Sequence, residues 1–382
     1  MRRLLSLGIT VFLLLGLMPV AARGEAFQIP AKSAVLMDVA TGRVLYESNA
    51  HEPLPPASVT KVMTMLLIME AIDSGLIRWD DPVTASEAAA AKGGSQVYLK
   101  AGEVMTVSDM VKSIAVSSAN DCACAMAELL AGSESAFVER MNTRAKELGM
   151  ENTHFVNCTG LDDGPEAKEH RTSAYDIALM SRQLLKYHPQ IREYTTIWMD
   201  TIRDGAFGLS NTNKLIRFYS GATGLKTGYT SGAGFCLSAS ALRDGMELIA
   251  VVMGSPSSQD RFSACKTLLD HGFASYALVY PQAEAASVPV RLGSAGQVAA
   301  EPGSAEPLLI DKGQKNQVTF QVTLEEEVTA PVSQGQRLGE LTVRSGEQIL
   351  ARIPMVAAAP VERLTTGQIF LRILKRVCMA KE

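Results

Sequence analysis

The chain has 382 residues, with 36 Lys and Arg against 40 Asp and Glu and a formal net charge of −4. Hydrophobic residues at 47% and charged residues at 20% exclude a disordered chain and suit two or three folded domains. Near-neutral charge and 6% aromatics argue against a nucleic-acid partner, which calls for a basic surface or base-stacking rings.

Met1-Arg2-Arg3, an apolar run from Leu4 to Met18 and small residues from Ala21 to Ala26 form the pattern of a secretory signal peptide, assigned to residues 1–24. The alternative is an uncleaved N-terminal anchor; in both cases the remainder is expected to be exported. No other apolar stretch has the ~20 residues a bilayer span requires. Residues 27–276 mix short strands with long helices. Ser33–Met37 and Arg43–Tyr46 flank Ala40-Thr41-Gly42 and predict a hairpin. Val62 to Ile72 is apolar on almost every side and predicts a helix buried in a domain centre. Asp109 to Leu130 and Ala136 to Leu148 carry further helical patterns. Gly234–Ala239 and Met246–Met253 predict two strands turned at Arg243-Asp244-Gly245, and Gln259 to His271 returns to helix. Strands at both ends with helices between predict an α+β domain whose sheet is closed by its N- and C-terminal strands.

Composition shifts near Pro281. Residues 282–362 are rich in Val, Gly, Pro and Glu. Val318 to Leu324 alternates strictly, and Leu341–Val343 and Ile349–Ile353 flank a turn, so a small all-β domain is expected. Residues 365–382 place Ile369, Phe370, Ile373, Leu374 and Val377 on one helical face and Arg372, Lys375 and Arg376 mostly on the other. This predicts an amphipathic basic helix for a membrane surface, with docking on its own domain as the alternative.

The cysteines are Cys122, Cys124, Cys158, Cys236, Cys265 and Cys378. Export permits disulfides, but the spacing is no disulfide framework, and buried free thiols are expected. No C-x-x-C or H-E-x-x-H pattern occurs, so neither a metal nor another cofactor is expected.

Three short motifs carry chemistry. Ser58-Val59-Thr60-Lys61 follows Pro55-Pro56-Ala57 at the head of the apolar helix. Serine is a poor nucleophile until a base takes its proton, and positions i and i+3 bring the Lys61 amine to the Ser58 hydroxyl. An ordinary lysine is protonated at neutral pH, but burial and a nearby cation lower its pKa. Ser118-Ala119-Asn120 sets a hydroxyl and an amide two residues apart between two helical stretches. Lys226-Thr227-Gly228 precedes the strand pair and combines a cation and a hydroxyl, which suit a carboxylate, with a glycine that allows close approach.

Ser-x-x-Lys, Ser-x-Asn and Lys-Thr-Gly in this order resemble the motif set of penicillin-binding proteins and active-site-serine β-lactamases. The chain resembles the low-molecular-weight penicillin-binding proteins, serine-type D-alanyl-D-alanine carboxypeptidases, over nearly all that follows the signal peptide. Similar context lies at Gly94–Leu99, His154–Leu161 and Ser173–Asp176. The resemblance implies a penicillin-binding/β-lactamase-like catalytic domain, a small β domain and a helix holding the enzyme on the outer face of the cytoplasmic membrane. It implies removal of the terminal D-Ala from peptidoglycan pentapeptide stems, and capture by β-lactam antibiotics. Ser58 would form the acyl-enzyme with Lys61 as base. Ser118 would relay a proton to the leaving group, and Asn120 would hold the substrate amide. Lys226 and Thr227 would engage the terminal carboxylate, and the backbone N–H groups of Ser58 and Tyr229 would form the oxyanion hole. Ala119 stands where Gly is commoner and Tyr229 where His is often found. A β-lactamase shares the motifs, but neither Glu151 nor Glu166 stands in the Glu-x-x-x-Asn pattern expected of one class. A non-catalytic β-lactam sensor would keep the pocket but usually adds a membrane-spanning region. A Ser-His-Asp hydrolase lacks its Gly-x-Ser-x-Gly elbow here.

Overall fold

A computed structural model describes residues 28–304 and 306–379; the expected signal peptide lies outside the described residues. The N-terminal hairpin is the strand pair Ser33–Asp38 and Val44–Ser48. Ser33–Asp38 is buried along its whole length because its other edge pairs antiparallel with Met246–Ser255. The five-stranded antiparallel sheet runs Val44–Ser48, Ser33–Asp38, Met246–Ser255, Gly234–Arg243, Ala222–Thr230. The N- and C-terminal strands of the region 27–276 thus close one sheet, as expected of an α+β domain.

Alternation divides that sheet between two cores. Leu36, Leu248, Ala250 and Val252 face helix Ser258–Ser275 through Phe262, Leu268 and Leu269. Val35, Met37, Ile249, Val251 and Met253 face a helical cluster built around Lys61–Asp73. That helix is buried on nearly all sides, which is why its sequence lacks a polar stripe. The long helical pattern over 109–130 is two helices, Val107–Ser117 and Asn120–Ala131. Ser118 breaks it with φ 65° and ψ 27°, the left-handed conformation that ends a helix.

Strand Tyr276–Val279 pairs with Leu308–Asp311. The β region beyond has a six-stranded sheet, in the order Val318–Leu324, Arg337–Ser345, Gln348–Ala357, Gln297–Pro302, Ala286–Arg291, Val328–Thr329. It has its own core around Val288, Leu338, Leu341, Val343 and Met355. Pairing continues past the strands: Leu364 N–H donates to the Leu292 carbonyl and Ser294 N–H to that of Glu362. Helix Thr366–Met379 follows, with Phe370, Leu371, Ile373, Leu374 and Val377 exposed. Arg372 does not simply face solvent. Its guanidinium donates to the carbonyls of Gly293 at 3.1 Å and Ser294 at 2.8 Å. Among the described residues no helix is long and apolar enough to cross a membrane. All six cysteines are free; five are buried and Cys378 is exposed.

Candidate active site

Ser58 lies in a 3-10 turn, Ala57–Thr60, that runs straight into helix Lys61–Asp73. Ala57 has φ 48°, an unfavourable conformation for a residue with a side chain. The turn places Lys61 Nζ 3.0 Å from Ser58 Oγ. Ser58 is half-buried, whereas Lys61 is fully buried. Lys61 also donates to the Thr159 carbonyl at 2.8 Å. Burial lowers the Lys61 pKa from 10.5 to about 7, opposed by the negative charge of Asp121. Cys158 could oppose it as a thiolate, but burial pushes that thiol well above its ordinary pKa, so it is neutral at pH 7. The Lys61 amine beside Ser58 can therefore be neutral near pH 7.

The wall behind this pair is the segment 156–161. Asn157 Oδ1 accepts from the backbone N–H groups of Thr159 at 3.1 Å and Gly160 at 2.6 Å, which folds the segment into a turn. Gly160 has φ +82° and lies directly on the nucleophile turn: a Cβ there would sit 1.9 Å from the Ala57 carbonyl oxygen. Only glycine fits.

Asn120 opens helix Asn120–Ala131 directly after the Ser118 break. Its Nδ2 donates to the Gly93 carbonyl at 2.7 Å, while its buried Oδ1 has no partner. A buried acceptor without a protein partner is available to an incoming donor. Next to it, the Asp121 carboxylate accepts from the N–H groups of Val97 at 3.1 Å and Leu99 at 3.0 Å. This fixes the Gly94–Leu99 segment beside the site. Ser118 is buried at the helix break.

Lys226, Thr227 and Gly228 lie on Ala222–Thr230, the edge strand of the main sheet. Gly228 lets this edge meet the nucleophile turn, since a Cβ there would lie 2.7 Å from the Pro56 carbonyl oxygen and 3.1 Å from Ser58 N. Lys226 is buried and donates to the Thr227 carbonyl at 2.9 Å. Burial first, then the cations Lys61 and Arg261, push its pKa well below the lysine range. A carboxylate placed there would favour the protonated form of Lys226 and pair with it. Arg261 braces the strand from behind, donating to the Gly228 carbonyl at 3.0 Å. Tyr229 is 57% exposed and packs on Phe235, with ring centroids 4.3 Å apart.

Thr212 joins two motifs. Its N–H donates to the Val116 carbonyl, two residues before Ser118, and its hydroxyl accepts from Thr227 at 2.7 Å. Sequence reading did not single out Thr212, Thr159, Asn157, Asp121 or Arg261. Only the Asn157-Cys158-Thr159-Gly160 run carried a local signal, that of an Asx turn before a glycine. Glu151 and Glu166 are both exposed, and neither bonds to Ser58 or Lys61.

The site of a serine hydrolase is thus assembled from the Ser58–Lys61 contact, the free Asn120 acceptor and the buried lysine of the strand edge. The family model for D-alanyl-D-alanine carboxypeptidases matches residues 20–257, and that for the penicillin-binding protein 5 C-terminal domain matches residues 274–363. The chain is 42% identical to D-alanyl-D-alanine carboxypeptidase DacF of Bacillus subtilis, over 98% of each chain. It is 34% identical to DacC of Escherichia coli, over 93% of this chain and 89% of that one. The fold is similar to that of Haemophilus influenzae penicillin-binding protein 5, with a TM-score of 0.74, 29% identity and coverage of 88% of this chain and 99% of that one. The chain belongs to the D-alanyl-D-alanine carboxypeptidase family of serine peptidases, the low-molecular-weight penicillin-binding proteins.

Proposed function

We propose that this chain removes the terminal D-Ala from peptidoglycan pentapeptide stems through an acyl-enzyme on Ser58. The observation that carries the reading is the 3.0 Å approach of Ser58 Oγ to a buried Lys61 amine with a pKa of about 7. The neutral amine takes the Ser58 proton as Oγ attacks the carbonyl of the penultimate D-Ala. The backbone N–H groups of Ser58 and Tyr229 receive the developing oxyanion. Asn120 holds the substrate amide through its free Oδ1, and Lys226 with Thr227 holds the terminal carboxylate. The Ser118 hydroxyl passes a proton to the departing D-Ala amine. Water then attacks the ester and returns Ser58.

A β-lactam fits the same groups but keeps its leaving group tethered, so the adduct persists. A crystal structure of Listeria monocytogenes penicillin-binding protein D2 contains ampicillin. That structure is similar to this chain, with a TM-score of 0.59, 32% identity and coverage of 65% of this chain and 99% of that one. The test is incubation with a D-Ala-D-Ala-terminated pentapeptide and mass spectrometry of both products. Stoichiometric release of D-Ala supports the reading, and a folded protein that binds penicillin without releasing D-Ala is a sensor. Ser58→Ala must lose penicillin labelling; a labelled Ser58→Ala protein overturns the assignment.

We also propose that the enzyme works after export, on the outer face of the cytoplasmic membrane, held by the C-terminal helix. The support is the basic and apolar N-terminal segment together with the exposed Phe370, Leu371, Ile373, Leu374 and Val377. Apolar insertion supplies most of the affinity, at ~25 cal/mol per Å2 of buried area. Each basic residue adds ~1 kcal/mol near an anionic surface.

A further inference from the structure

His170 is nearly buried, at 3% exposure, and takes no part in the chemistry above. Its two ring nitrogens bridge the two segments on which that chemistry depends. Val156 N–H donates to Nδ1 at 3.1 Å, so the neutral ring carries its proton on Nε2. Nε2 lies 2.7 Å from Thr60 Oγ1, whose own hydrogen goes to the Ala57 carbonyl at 2.8 Å. The relay is directional: Val156 N–H to His170, His170 N–H to Thr60, Thr60 O–H to Ala57. Every donor in it has one acceptor.

The relay ends on the carbonyl next to Ser58, in a residue with unfavourable φ, and it begins in the segment whose Thr159 carbonyl holds Lys61. Gly160 lies against the same Ala57 carbonyl, and a Cβ there would also come within 2.8 Å of Thr60 Oγ1. Strain of this kind persists only where the surroundings over-determine it. We propose that His170 is a positioning residue: through Thr60 and Val156 it sets the nucleophile turn and the Lys61-holding segment in register.

The ring must be neutral to do this. A second proton would sit on Nδ1 and oppose the Val156 N–H. The titratable and charged groups facing the ring are His154 and Arg171 beside it and Lys61 across the relay. The Phe155 ring meets it edge-on at 5.6 Å. Burial first, then repulsion from these neighbours, hold the His170 pKa down to about 4, so the relay is intact wherever Lys61 can act as base.

The inference rests on the Ser58 reading. The test is single-turnover acylation by a fluorescent penicillin, from limiting to saturating concentration, so that noncovalent binding and the acylation rate separate. The proteins are the native chain, Ser58→Ala, His170→Phe, His170→Gln, Thr60→Val and the His170→Phe/Thr60→Val pair, each with a measured melting temperature and rates scaled to folded protein. His170→Phe and Thr60→Val should each slow acylation about 10- to 100-fold, the scale expected of a misplaced reacting group, with noncovalent binding within about threefold. The double variant should be no slower than the worse single one, because both break one relay. His170→Gln, which offers both an acceptor and a donor, should stay within about threefold of native. A folded His170→Phe or Thr60→Val with the native rate, additive losses in the pair, or a His170→Gln as slow as His170→Phe would each overturn the proposal. If His170→Phe does not fold, Thr60→Val, of equal volume, decides alone. Labelling of Ser58→Ala would instead sink the Ser58 reading and the relay's purpose with it.

Discussion

Lys61→Met should stabilise the protein while destroying its activity. The amine is fully buried and its pKa falls from 10.5 to about 7, so the native state binds fewer protons than the unfolded state between those values. At ~1.4 kcal/mol per unit, keeping the lysine costs about 4 kcal/mol at pH 7. Methionine has a similar length and no charge. It leaves the Thr159 carbonyl without its donor, which costs ~1–3 kcal/mol and sets the net gain at roughly 1–3 kcal/mol. The sign follows the titration. The unfolded amine is charged below 10.5, so the Lys61 penalty shrinks as pH rises from about 7 to 10.5 and is constant below 7. The gain from methionine should therefore be greatest at or below pH 7 and vanish or reverse near pH 10. Urea unfolding of both proteins at pH 6, 7, 8.5 and 10 reads it, with penicillin labelling to confirm inactivity. Parallel stability curves for the two proteins across that range would refute the reasoning, because burial would then not be what holds the amine neutral.

Lys61→Arg should be nearly as inactive as Lys61→Met, since a guanidinium stays protonated; substantial acylation by the arginine protein would make position 61 an electrostatic site only. Acylation by native enzyme should rise with pH through about 7, with the acid limb falling about tenfold from pH 6 to pH 5, as measured by penicillin stopped-flow. Gly160→Ala should cost more than about 3 kcal/mol or abolish acylation, because its Cβ would meet the Ala57 carbonyl at 1.9 Å; denaturant titration and labelling of the variant check this. A chain ending at Leu364 keeps the Leu292 pairing and should cleave peptide normally but lose co-sedimentation with anionic vesicles. Equal vesicle binding with and without the tail would exclude it as the anchor.

Much of the sheet was legible because its strands are bounded by strong turns. Asp244 and Gly245, at φ 50° and 78°, close a hairpin that the Arg243-Asp244-Gly245 run announces locally. The break at Ser118 was visible as a motif between two helical stretches, but its left-handed backbone was not, because serine seldom adopts it unaided. The tail's apolar face was equally plain from spacing. Its Arg372 contact with Gly293 and Ser294 was not, since those partners lie about 79 positions away in the chain.

The site divides in the same way. Ser58, Lys61, Ser118, Asn120, Lys226 and Thr227 are recognisable because chemistry limits each position to one or two residue types, and the motifs are short enough to survive in sequence. Thr159, Thr212, Arg261 and His170 act largely through position. Thr159 offers a backbone carbonyl, which any residue could supply, so no side chain signals it. The amino-acid sequence determined which groups are available: a hydroxyl, an amine, an amide and a cation carried on elements of known kind. Only the tertiary structure decided that the Lys61 amine can be neutral near pH 7, because its pKa is set by removal from water, and that removal is the joint work of segments nearly a hundred residues apart.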